Sequence, residues 1–479
     1  MVPMKDTGRL PQETVARLAS AVDAGMSGTV SVLAGLVAVP GIAWPDFDPG
    51  ALEQSAGSVR KLLNEAGFVD AEIIRGTDPA GVRGAPAVIA ARPATPGMPT
   101  VLLYAHHDVQ PPGPAEEWGS DPFVAVVRDG RLWGRGAADD KAGIIMHVAA
   151  VRALDTVLGP GHGLGLTVFI EGEEESGSPT LPALLAQHKP RFQAEAAIVA
   201  DAGSWKLGTP ALTTSLRGLV DGTIEVRTLD HGLHSGSFGG PALDAPTALA
   251  HLMATFHHED GSVAVEGLVT ASPEGPDFTE EEFRRDAGVP PGVQLAGTGK
   301  ISSRLWGKPA LSFVGLDAPP IATAPNTLIP AAAVKFSLRI PPGNDPDEAM
   351  EAVRRHALRH APFGAEVTFT PGTKTKPFAV APRDRMGQIA LWALGEAWGT
   401  EAVTRGTGGS VPFVAELTRH QPRCSILLTG PRDPDSRAHG ANESVHLGEL
   451  RNAILAEALF LTALCQEHDG ARLNQDGRV

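Results

Sequence analysis

The apolar run Thr167-Val-Phe-Ile170 leads straight into Glu171-Gly-Glu-Glu-Glu-Ser-Gly-Ser178, a turn carrying Glu171, Glu173, Glu174 and Glu175 and closed by glycines. Such a run can be a solvated acidic loop. Against that reading, no lysine or arginine lies close in sequence, and carboxylates this close repel one another. A multivalent cation removes that cost if the chain supplies further ligands. Val101–Tyr104 ends in Ala-His106-His107-Asp108. A ligating histidine usually hydrogen-bonds a carboxylate through its second ring nitrogen, and an aspartate two residues on lies on the same side of an extended chain. Gly134-Arg-Gly-Ala-Ala-Asp139-Asp140-Lys141 puts adjacent aspartates at a helix start, where they either ligate or cap the helix. Asp201, after Ala197–Ala200, is either a ligand or a turn residue. Arg437-Ala-His439-Gly-Ala-Asn-Glu443 offers a histidine that, taken alone, is more often structural.

Position ties these residues together. Each follows a strand-like run or opens a helix, and in open α/β sheets that edge is where ligands gather. Two histidines with several carboxylates, and no cysteine, fit Zn²⁺, Mn²⁺ or Co²⁺.

The elements around them alternate. Apolar residues recur at helical spacing from Leu52 to Ala66, with Gly67 as a stop. Short apolar runs at Ala71–Ile74, Ala87–Ala91 and Val101–Tyr104 predict strands. Helix Asp139–Leu154, strand Leu166–Ile170, helix Pro179–His188 and strand Ala197–Ala200 follow. The pattern predicts an α/β domain with a mixed sheet. After about Thr214 the texture changes: strand Gly222–Val226, helix Ala245–His257, a loop-rich Ser272–Gly299, strand Val334–Ile340 and helix Pro346–His360 suggest a separate α+β unit. Gly372–Pro377 reads as the return linker, after which helix Arg383–Ala397, strand Ser425–Leu428 and helix Leu447–Cys465 resume the first pattern. The expected division is residues 1–214 and 376–479 for the α/β domain, with 215–375 inserted into it.

Composition narrows the partners. The 479 residues carry a net charge of −15, which argues against a nucleic-acid or anionic-membrane partner. Cys424 and Cys465 lie in apolar stretches and read as reduced core residues of a cytoplasmic protein. Gly25–Trp44 is uncharged, yet Gly28, Gly35, Pro40 and Gly41 interrupt it and Asp23 precedes it. A buried helix ending at Pro40 is expected there, with neither a signal peptide nor a membrane span.

Five stretches in order now carry a resemblance: Ala105-His-His-Asp-Val-Gln-Pro111, Gly134–Lys141, Glu171–Ser178, His234-Ser-Gly-Ser-Phe-Gly-Gly240 and His439-Gly-Ala-Asn-Glu443. Together they span nearly the whole chain, which resembles the M20 family of di-metal peptidases, closest to its carnosinase-like, cytosolic non-specific dipeptidase branch. The resemblance implies a catalytic domain with an inserted lid that also forms a homodimer. It gives His106, Asp139 and Asp201 to one metal ion, with Asp139 bridging to a second completed by Glu175 and His439. Zn²⁺ is the first expectation, with Mn²⁺ or Co²⁺ as alternatives. Glu174 becomes the general base and Asp108 the partner of His106; of the two adjacent histidines only His106 has the His-x-Asp spacing. Two cations about 3.5–4 Å apart acidify a bridging water and polarise the scissile carbonyl. A carboxylate that ligates a cation has its lone pairs engaged, so the base should stand beside the ions without binding them.

Substrate recognition draws on other residues. Arg339, mid-strand in Phe-Ser-Leu-Arg-Ile, forms either a structural ion pair or a site for the substrate's carboxylate. Gly406-Thr-Gly-Gly-Ser410 is a flexible turn, or holds that carboxylate through backbone N–H groups, Gly409 included, and the Ser410 hydroxyl. The resembling dipeptidases use both regions, and His234 and Thr327 reach the site from the partner subunit. The expected activity is hydrolysis of dipeptides with a free C-terminal carboxylate. The alternative is an amidohydrolase of N-acyl or N-carbamoyl amino acids on the same scaffold.

Overall fold

The computed structural model describes the backbone of residues 9–476 and side chains through residue 466. The chain divides into two compact units. The first comprises Met1–Thr214, Val380–Arg405 and Val411–Val479, the second Ser215–Ala379 and Gly406–Ser410. The sequence division assigned all of 376–479 to the first; the structure instead groups Gly406–Ser410 with the second, where Arg217 holds this turn by its Nε to the Gly408 carbonyl (3.4 Å).

The first unit is built on a mixed sheet. Its strands run Glu72–Ile74, Ala87–Arg92, Gly165–Glu171, Thr100–His106, Ala196–Val199, Ser425–Leu428 and Ala211–Leu216. The central pairings are parallel and the flanking ones antiparallel. Parallel strands need both faces covered, and here Gly165–Glu171 is buried at every position. Side chains alternate between faces. Val101, Leu103 and Ala105 join the core with Leu18, Leu33, Ile144, Val151, Ile454 and Leu461 from three long helices. Tyr104 and Phe169 meet Phe413 and Phe192 on the other face, with Tyr104 stacked on Phe413 at 3.8 Å between ring centres.

The first of those helices, Gln12–Val37, is long and apolar enough to cross a membrane by length and composition. Its stripe of Leu18, Val22, Leu33, Leu36 and Val37 nonetheless belongs to the core, and the helix ends three residues before Pro40.

The second unit is α+β. Its antiparallel sheet has the order Ala310–Asp317, Ala331–Ile340, Gly218–Arg227, Glu366–Thr375. Strict alternation of buried and half-exposed positions along Gly218–Arg227 shows one face packed, and Val220, Ile224, Phe336 and Leu338 meet Leu249, Leu252, Met350 and Val353 of helices Ala245–Ala254 and Pro346–Arg359. Two expectations fail here. The supposed linker Gly372–Pro377 is in part the end of strand Glu366–Thr375, whose register with Gly218–Arg227 shifts between Pro371 and Lys374. Pro371 lacks the N–H of a regular ladder, which is why the segment resembles a break in sequence. The loop-rich Ser272–Gly299 contains a short helix, Glu280–Asp286, opened by a Thr279–Glu282 capping box.

Candidate metal centre

In the first unit, strand Thr100–His106 delivers His106 to the sheet edge fully buried. Its Nδ1 donates to the Asp108 carbonyl at 3.0 Å, and its Nε2 lies 3.2 Å from Asp139 Oδ1. The Asp108 carboxylate is 3.4 Å from Nδ1, and it also accepts from the backbone N–H of Glu174 (3.2 Å) and Glu175 (3.0 Å). Asp108 thus fixes the glutamate turn against the histidine, a second task its spacing did not reveal. His107 turns away: its Nε2 donates to the Pro86 carbonyl at 2.7 Å, and burial lowers its pKa.

Asp139 is the hub. Its Oδ1 faces His106, while Oδ2 lies 3.2 Å from His439 Nε2 and 2.8 Å from Arg432 Nη1. Burial works against its charge, but Arg432 and the two histidines outweigh that and hold its carboxyl well below the ordinary range. The loop before it wraps the buried carboxylate of Glu443, which accepts from the backbone N–H of Gly136 (3.0 Å), Ala138 (2.8 Å) and Asp139 (2.9 Å) and from Arg135 Nη1 (2.7 Å). Gly136 has φ +79°, and a Cβ there would lie 2.6 Å from Val109, so this wrapping needs glycine. Asp140 opens the next helix, yet its side chain makes no capping hydrogen bond. Burial pushes its carboxyl well above the ordinary range.

The four glutamates divide their work. Glu171 accepts from the Tyr104 hydroxyl at 2.8 Å, and burial pushes it up to about 8. Glu173 accepts from the Thr180 and Ala85 backbone and holds the turn. Glu175 Oε2 lies 3.2 Å from His439 Nε2 and accepts from Gln110 Nε2 at 2.8 Å. Glu174 gathers with His106 and Asp201; burial, then the Asp201 charge, raises its pKa well above normal. His106 with Asp139 and Glu175, and His106 with Glu174 and Asp201, each bring three ligand atoms within 4.8 Å of one another. His439 comes from a turn in the left-handed region (φ +65°), its side chain 57% exposed. Hydrogen bonds that it donates to the Asp139 and Glu175 carboxylates push its imidazole up to about 10.

All five ligands expected from sequence therefore meet in this unit, with Glu174 among them. The donor set is imidazole nitrogen and carboxylate oxygen, with Asp139 presenting one oxygen to each histidine, and it suits divalent ions of the zinc and manganese kind. Arg432 was missed. Its guanidinium pairs with Asp139 and with Asp201 Oδ1, and nothing in the local Gly-Pro-Arg-Asp-Pro sequence announces that.

The second unit holds the residues expected to contact substrate. Arg339 Nη1 donates to Ser410 Oγ at 3.3 Å, beside Gly409, where a Cβ would meet open space. Among the described residues no carboxylate pairs with Arg339 or with Arg217, whose pKa burial and the Arg339 charge lower to about 10. His234 and Thr327 face each other across a two-stranded ladder. His234 is exposed, its Nδ1 accepting from the Gly236 N–H at 3.1 Å.

Residues 102–463 match peptidase family M20/M25/M40. The cysteinylglycine-S-conjugate dipeptidase of Corynebacterium striatum is 37% identical over 385 residues, 79% of this chain and 84% of that protein. The Beta-Ala-His dipeptidase of Homo sapiens is 27% identical, covering 80% of this chain and 78% of its own. Among solved structures, human carnosine dipeptidase 1 superposes with a TM-score of 0.80 over 94% of this chain and 99% of that one, at 23% identity. The Saccharomyces cerevisiae dipeptidase Dug1p gives 0.81 over 94% and 98%, at 22% identity. With this fold, this carboxylate–imidazole cluster and this extent of matched sequence, the chain belongs to peptidase family M20/M25/M40.

Proposed function

We propose that the protein is a metal-dependent dipeptidase acting on dipeptides with a free C-terminal carboxylate. The observation that carries this is the Asp139 carboxylate, which turns one oxygen to His106 and the other to His439. His106, Asp139 and Asp201 would hold one ion, and Asp139, Glu175 and His439 would hold a second. Zn²⁺ is the ion we assign, with Mn²⁺ or Co²⁺ as replacements. Such ions polarise a scissile carbonyl and acidify water. Glu174 takes the proton from the attacking water and passes it to the leaving amine; burial and the Asp201 charge raise its proton affinity above that of an ordinary carboxylate. Asp108 keeps Glu174 and Glu175 in place through their backbone N–H groups.

Arg339 and Ser410, with the backbone at Gly409, bind the substrate's carboxylate; the buried Arg217 and half-buried Arg339, with no carboxylate partner among the described residues, favour an anionic ligand. His234 stabilises the developing oxyanion and Thr327 contacts substrate, both from the partner subunit of a homodimer. The inserted unit serves as lid and dimerisation domain. Its edge strand Ala310–Asp317 exposes Val314 and Leu316, which favours pairing with a second copy. Cys424 and Cys465 form no disulfide, which suits the reducing cytoplasm.

The test is a panel of dipeptides set against N-acyl and N-carbamoyl amino acids. Chelator-treated protein is reloaded separately with Zn²⁺, Mn²⁺ and Co²⁺. Turnover of dipeptides with at least one ion is expected. Turnover confined to acyl or carbamoyl amino acids would replace the dipeptidase with the amidohydrolase alternative.

A further inference from the structure

Arg432 is the permanent cation at the centre of the cluster. Its Nη1 lies 2.8 Å from Asp139 Oδ2, and its Nη2 hydrogen-bonds Asp201 Oδ1. The residue is held from behind. Its carbonyl accepts from the Ser204 N–H at 2.8 Å, and a Cβ on the adjoining Gly203 would come within 2.1 Å of that carbonyl oxygen. The backbone is thus packed against Gly203, and the side chain, 21% exposed, reaches into the carboxylates. A guanidinium does not lose its proton in a protein, so the positive charge stays at every working pH. A simple structural ion pair would use carboxylates with no other task. Asp201 is one we assign to the ion shared with His106, while Asp139 is common to both ions and the oxygen that Arg432 touches is the one turned to His439.

We propose that Arg432 weakens that His106–Asp139–Asp201 half for its divalent ion relative to the Asp139–Glu175–His439 half. The inference rests on the two-ion reading above. The contact to Asp139 falls on the carboxylate common to both halves, but Asp201 belongs to the His106 half alone, and there the guanidinium engages a lone pair that the ion needs and adds like charge beside it; among the described residues Glu175, the carboxylate of the other half alone, carries no arginine contact. The two ions then bind in separate steps, the second only at higher free metal, so that free divalent ion sets the fraction of fully loaded enzyme. Groups beside a ligand typically change metal affinity about 10–100-fold, and that is the size expected here.

The full-length protein, stripped with chelator, is titrated with Mn²⁺ while free ion is read by electron paramagnetic resonance. Wild type should fill in two steps. In Arg432→Met the weaker step should tighten about 10–100-fold with the tighter step nearly unchanged. Arg432→Lys, which keeps the charge, should stay close to wild type. Arg432→Gln removes the charge but keeps a hydrogen bond, and serves if Arg432→Met fails to fold. Asp201→Asn should abolish the weaker step and leave the tighter one. No gain in either charge-removing variant, or a gain confined to the tighter step, overturns the proposal. If wild type binds no ion at all, the two-ion reading falls instead.

Discussion

Replacing Glu171 with glutamine should make the protein more stable, and increasingly so as pH rises. The carboxyl is wholly buried at the end of strand Gly165–Glu171, and burial lifts its pKa from 4.5 to about 8. The folded protein therefore holds a proton there between those values, while the unfolded chain releases it. A raised folded-state pKa gives stability that is complete below pH 4.5 and is lost as pH climbs through 8. At about 1.4 kcal/mol per pH unit, the loss is on the order of 2 kcal/mol at pH 6 and on the order of 5 kcal/mol above pH 8. Glutamine carries no charge to bury in either state, and its amide oxygen can accept from the Tyr104 hydroxyl as Glu171 does. Urea unfolding at pH 5, 6, 7 and 9, with chelator present so that metal binding does not contribute, measures the difference between variant and wild type. That difference should be small at pH 5 and grow by several kcal/mol by pH 9. Other titrating groups cancel because both proteins carry them. Parallel stability curves from pH 5 to 9 would refute the reasoning.

Glu174→Gln should keep metal content and fold while turnover drops on the order of 10²–10⁴-fold, whereas Glu175→Gln should lose affinity at one metal site; metal analysis beside kinetics distinguishes them, and reversed phenotypes would shift the roles by one residue. Chelation should abolish activity and divalent ions should restore it, so that full turnover by metal-free protein would contradict the metal reading. Arg339→Gln should raise KM for dipeptides by about tenfold or more with kcat less affected, as expected for loss of a charge-assisted bond to a carboxylate; an unchanged KM would remove Arg339 from binding. Mixing inactive Glu174→Gln with inactive His234→Ala under subunit exchange should restore about a quarter of wild-type activity if His234 serves the partner's site; no recovery despite demonstrated exchange would place it within its own chain.

Much of the site was legible because metal chemistry needs a few residue types at sheet edges. His106, Asp139, Asp201 and the glutamate run each follow a strand or open a helix, and apolar periodicity locates those elements. Of the two adjacent histidines, alternation turns His107 to the Pro86 carbonyl and leaves His106 facing Asp139. What escaped is long-range. Arg432 is a lone arginine between prolines, and its partner Asp201 is 231 residues away, so no local pattern records the pair. Glu443 stood in a recognisable stretch, but its four donors come from a loop about 300 residues earlier. Gly372–Pro377 misled for the opposite reason: proline and glycine there mark an irregular strand, not the end of one.

The Glu443 clamp also bears on how the protein is made. Until that carboxylate arrives, the N–H groups of Gly136, Ala138 and Asp139 that shape their loop lack the Glu443 acceptor and are left to water. A nascent chain has already exposed His106, Asp139 and Glu175 when the ribosome is still hundreds of codons from Glu443. The finished ion cluster thus appears only after nearly all of the polypeptide has been translated. A truncated product retains most of the acidic residues but lacks the piece that shapes them, so incomplete chains are born without a working peptidase centre.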